Sequence, residues 1–98
     1  MSAETMTVET FDSVFDALAD TPAEAANLTA RADLLLGIRE RVKSWDVSQE
    51  KAAKRLGLTR PRLNDLLRGK LDKFSLDALV NVATAAGFKL HIQLEEAA

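Results

Sequence analysis

Between Ser48 and Gly87 the chain repeats one piece of punctuation three times: a hydroxyl residue able to cap a helix, a short amphipathic run, and a glycine able to end it. Ser48 precedes Gln49–Leu56 and Gly57, Thr59 precedes 60–68 and Gly69, and Ser75 precedes a run that closes at Gly87. A side-chain oxygen at the N-cap accepts from a helix N–H that has no partner inside the helix, and glycine takes the left-handed backbone of a helix end without a Cβ penalty. Pro61 falls in the first turn of its run, where its missing N–H costs nothing. Helices of this length are marginal alone, so the pattern predicts three short helices that are stable only when packed on one another.

The segments on either side change character. Before the punctuated stretch, Phe11, Val14, Phe15 and Leu18 recur at helical spacing behind a possible cap at Thr10, with Asp12, Asp16 and Asp20 four apart on another face. After a break at Thr21 and Pro22, Leu28, Leu35 and Val42, flanked by Leu34, Ile38 and Trp45, predict a helix to about Lys43. Gly37 lies inside it at a cost of about 1 kcal/mol relative to alanine, and the helix is expected to run through it. Trp45 is expected to pack on the core or on a neighbouring subunit. The last segment has period two: Phe88, Leu90, Ile92 and Leu94 alternate with Lys89, His91, Gln93 and Glu95, the pattern of a strand with one buried face. The expected architecture is therefore mainly α, five helices and one C-terminal strand over 88–94. Residues 1–9 are expected to form a flexible tail, and one domain is expected over 10–98 with an acidic helical region over 10–30.

A length of 98 residues suits one core. There is no cysteine, hence neither a disulfide framework nor a thiolate metal site. The lone His91 cannot assemble a metal site with a second histidine. Neither an export signal nor an apolar run of about 20 residues occurs, so the chain is expected to be soluble, unprocessed and cytoplasmic, with no membrane partner. No phosphate-binding loop, nucleophile elbow or paired-histidine zinc motif is present, so neither enzyme activity nor a cofactor is expected.

The formal net charge of −2 conceals a segregation. Residues 1–36 carry seven acids against Arg31 alone, whereas residues 37–73 carry eleven bases against five acids. Such asymmetry hints at two electrostatically different partner surfaces. Within the basic block lies the geometry of a helix-turn-helix: a small residue, Ala53, where the second helix approaches; Gly57 in the turn; and Leu63 and Leu66 fastening the second helix inward. Arg60, Arg62 and Asn64 are expected on the solvent side of that helix, followed by Arg68, Lys70 and Lys73.

The stretch from Ser48 to Thr59, with Leu63-Asn64-Asp65-Leu66-Leu67-Arg68-Gly69-Lys70 and Phe74-Ser75-Leu76-Asp77-Ala78-Leu79, resembles the Cro/C1-type (XRE-like) helix-turn-helix family over about 39–87. The segment 11–28 and the final strand make the chain similar to HigA-like antitoxins within it. The resemblance implies a lambda-repressor-like domain that represses transcription by occupying a palindromic operator in double-stranded DNA as a homodimer. It assigns Arg60, Arg62 and Asn64 to base edges, and Gln49, Arg68 and Lys70 to phosphates. Pro61 departs from the polar residue often found at its position, which removes one polar base contact. Phe88, Leu90, Ile92 and Leu94 are expected to pair with a second copy, and Asp12, Asp16 and Asp20 to meet a small basic toxin. Two alternatives stay open: a phage-type or autonomous repressor without a toxin, and a protein-interaction module on the same fold.

Overall fold

The computed structural model describes residues 21–96. They form four α-helices and a 3-10 turn: α1 Pro22–Trp45, α2 Gln49–Leu56, α3 Arg60–Leu67, the 3-10 turn Leu71–Lys73, and α4 Leu76–Ala85. The helix expected over the Phe11 to Leu18 stripe, with its three aspartates, lies outside the described residues. No described helix is long and apolar enough to cross a membrane.

Each helix begins where its cap residue predicts. The side chains of Thr21, Ser48, Thr59 and Ser75 accept hydrogen bonds from the backbone N–H groups of Glu24, Lys51, Arg62 and Ala78 at 3.1–3.2 Å. Truncating a cap of this kind to alanine costs about 1 kcal/mol. The glycine stops are equally local. Gly57 has φ 70°, Leu58 N–H donates back to Ala53 C=O at 2.9 Å, and Gly57 N–H donates to Lys54 C=O at 3.2 Å. This pair of bonds turns the chain within three residues from α2 into α3.

α1 runs unbroken through Gly37 and ends at Trp45, two residues beyond the expected Lys43, where the cap residue Asp46 takes a left-handed backbone with φ 50°. Its stripe of Ala32, Leu35 and Ile38 is buried and lies mainly along α4, which contributes Leu79, Val82 and Ala83. α2 contributes Ala52, Ala53 and Leu56, and α3 contributes Leu63 and Leu66, so each short helix gives two or three side chains to one shared core. Phe74, following the 3-10 turn, is 1% exposed. Trp45 is half-buried against this cluster with the Arg55 guanidinium 4.8 Å from its ring.

The sequence pattern is misleading at the C-terminus. Residues 88–96 form neither helix nor strand, so the expected strand over 88–94 is not an element of the single chain. The cause is chemical: a strand is defined by hydrogen bonds to a neighbouring strand, and the described residues offer none. Phe88 packs on the core beneath Arg41, whose guanidinium stands 3.9 Å from its ring and donates to Ala86 C=O at 3.2 Å. Beyond it the apolar side chains leave the core progressively, with Leu90 41%, Ile92 73% and Leu94 91% exposed.

Candidate nucleic-acid interface

α2 and α3 are the two helices of the helix-turn-helix. Their close approach needs small side chains on α2, and Ala52 and Ala53 fill that position, both buried. α3 is then held by Leu63 and Leu66, each fully buried, so its orientation follows from two apolar anchors three residues apart. The motif residues Ala53, Gly57, Leu63 and Leu66 are thus brought together as the sequence suggests.

With α3 fixed by one face, the opposite face is determined. Successive residues advance about 100° around an α-helix, so Arg60, Asn64 and Arg68 form one row spanning about 12 Å. All three are exposed. Gln49, the first residue of α2, is exposed as well. Lys70 lies beyond the end of α3, 3.5 Å from the Asp65 carboxylate and 42% exposed at its side chain. A pair this open contributes about 0–1 kcal/mol, which leaves the ammonium free to exchange Asp65 for another anion.

Arg62 is placed differently from the sequence expectation. It is half-buried and points across the surface to the turn that follows α3. One guanidinium nitrogen, Nη1, donates to Lys73 C=O at 2.6 Å, and the group lies 4.1 Å from the centroid of the Phe74 ring. The physical reason is angular: two residues on from Arg60 the helix has turned about 200°, so Arg60 and Arg62 cannot share a face.

Two arginines outside the motif hold two turns of the fold. Arg31 on α1, oriented by Asn27 Oδ1 at 2.7 Å, donates through Nη1 to Leu71 C=O at 2.9 Å and to Phe74 C=O at 3.2 Å. Arg41 holds the exit from α4, where Gly87 has φ 94° and a Cβ would stand 3.3 Å from the Arg41 guanidinium. No sequence pattern announces these contacts, because the acceptors are backbone carbonyls 40–45 residues away.

The arrangement presents positive side chains and an amide on the exposed face of a helix whose other face is anchored in the core. An α-helix of this kind fits the major groove of B-DNA, where every base pair shows a distinct donor and acceptor pattern. No curated protein matches the chain. A protein family described as a helix-turn-helix domain matches residues 17–95. Together with the geometry of α2 and α3, this match shows that the chain belongs to the helix-turn-helix domain family, whose architecture is that of a DNA-binding regulator.

Proposed function

We propose that this protein is a sequence-specific transcriptional repressor of the Cro/C1-like type that works as a homodimer on a palindromic operator. We further assign it as the antitoxin of a toxin–antitoxin pair that controls its own operon in the cytoplasm. The observation that carries DNA reading is the exposed row Arg60, Asn64 and Arg68 on a helix whose other face is locked into the core. Arg60 suits guanine, to which it can donate two hydrogen bonds, and Asn64 suits adenine. Gln49, Arg68 and Lys70 suit phosphates, which fix register without reading sequence. Repression is occupancy of the promoter and requires no catalysis and no cofactor.

The homodimer rests on the C-terminal segment. Leu90, Ile92 and Leu94 expose an apolar edge at period two, and a second copy satisfies both that edge and the unpaired backbone. Two-fold symmetry would place two α3 helices about 34 Å apart, one helical turn of DNA.

Substitution of the proposed contacts tests the reading. Arg60→Ala is expected to cost about 1–3 kcal/mol in specific binding and to relax base preference at one position in each half-site. Lys70→Ala is expected to weaken binding to all sequences alike and to lower the salt slope by about one unit. Titrations of promoter and scrambled duplexes with both variants separate the two effects. An Arg60→Ala protein of undiminished affinity and selectivity would remove α3 from the interface.

The antitoxin assignment rests on the acidic region before α1, where Asp12, Asp16 and Asp20 are spaced for one helix face. Charge of this sign steers association with a basic partner and is screened by salt. Reversing the three aspartates to lysine is expected to slow binding to the small basic protein encoded beside this gene, by a factor that shrinks at high ionic strength, while operator affinity stays near that of the wild type. An association rate unchanged at low salt, read by stopped flow, would contradict that role.

A further inference from the structure

Arg62 and Arg31 approach the short segment 71–74 from two sides. Arg31 holds the carbonyls of Leu71 and Phe74 at 2.9 and 3.2 Å, and Arg62 holds that of Lys73 at 2.6 Å while lying on the Phe74 ring. All three backbone carbonyls of this turn that face a guanidinium receive a charge-assisted hydrogen bond, the stronger kind. The ring between them is buried, so the segment has little room to shift. The consequence concerns Lys73. Its backbone carbonyl is tied to Arg62, in the first turn of α3, and its side chain is exposed. Lys70, by contrast, starts beside Asp65 in the second half of α3.

We infer that Arg62 is a positioning residue rather than a base reader: together with Arg31 it clamps the 71–74 turn so that Lys73 is fixed as a phosphate contact flanking α3. This inference rests on the DNA-binding reading above and changes the role that the sequence resemblance gives to one of its three base readers. The two roles make opposite demands on the guanidinium. A reader must turn two N–H donors of its guanidinium to a guanine, whereas Arg62 lies across the surface with Nη1 donating to Lys73 C=O and its face on Phe74. Lys73 carries no hydrogen-bonded or ion-paired acceptor for its ammonium among the described residues, which leaves that charge available to DNA.

A double-mutant cycle with Arg62→Gln and Lys73→Ala tests the clamp. In the wild-type background Lys73→Ala is expected to lower the slope of log affinity against log salt by about one unit, the loss of one phosphate contact. In the Arg62→Gln background the same change is expected to leave the slope unaltered, because Lys73 is no longer held in place. Arg62→Gln alone is expected to weaken specific and scrambled duplexes by the same factor, with base preference intact, and Arg62→Lys to restore part of the loss. Amide hydrogen exchange at Phe74, whose N–H donates to Leu71 C=O at 3.1 Å, is expected to quicken in Arg62→Gln without any DNA present. A loss of preference at one base pair by about fivefold or more in Arg62→Gln would overturn the inference and restore the reader. Additive salt slopes, or unchanged exchange at Phe74, would also overturn it. Absence of any salt-dependent DNA binding by the wild-type protein would remove the DNA-binding reading itself, and the exchange measurement would then still report on the clamp.

Discussion

Phe74→Ala is expected to be the most destabilising single substitution among the described residues, lowering stability by about 3–5 kcal/mol. Phe74 is 1% exposed and is the largest of the fully buried side chains. Its loss would also remove the surface on which Arg62 lies and loosen the carbonyl that Arg31 holds. Against the total of about 5–15 kcal/mol typical of a small domain, this is a large share. For a domain of this size each kcal/mol moves the melting temperature by about 4–8 °C, so the midpoint is expected to fall by about 12 °C or more. Leu36→Ala is the matched control, because Leu36 is 48% exposed on α1 and its truncation should change stability by no more than about 0.5 kcal/mol. Thermal unfolding followed by circular dichroism checks both. A loss of only a few degrees in Phe74→Ala would mean that the turn, and with it the placement of Lys73, is held by something other than this ring.

Removal of the chain after Gly87 is expected to have the largest effect on operator binding. The fold itself should survive, because the buried cluster draws on residues up to Ala86 and Phe88 is only partly buried at its margin. What disappears is the exposed apolar edge of Leu90, Ile92 and Leu94. If that edge joins two copies, each recognition helix loses the advantage of a tethered partner, which is worth about 10²- to 10⁴-fold in affinity. Leu90→Asp with Ile92→Asp should act similarly while leaving the chain at full length. Analytical ultracentrifugation of the wild type, the truncated protein and the double variant, alongside operator titrations, decides the matter. A truncated protein that sediments as the wild type does and binds the operator equally well would place the subunit interface elsewhere.

The helices were legible because their boundaries are set by local chemistry. Thr21, Ser48, Thr59 and Ser75 cap, and Gly57, Gly69 and Gly87 turn, without reference to anything distant. The inward anchors Leu63 and Leu66 followed from spacing alone. The 88–94 segment misled because alternation describes what a strand would bury and does not supply the strand beside it. Arg62 differs from expectation in its placement: residue type and proximity to the motif suggest a solvent-side position beside Arg60 and Asn64, whereas the turn of the helix separates it from both by more than a right angle and leaves it half-buried. That much could have been read from the numbering. The contacts of Arg31 and Arg41 could not, since each joins a guanidinium to a carbonyl that any residue would present.

Selection from a pool of random-sequence duplexes by the full chain tests sequence-specific DNA binding most directly, because it presupposes no operator. The account predicts enrichment of an inverted repeat whose half-site centres lie about 10 base pairs apart. It also predicts that affinity for the enriched duplex falls linearly with the logarithm of salt concentration. Recovery of duplexes with no common sequence, bound no more tightly than the starting pool, would contradict it.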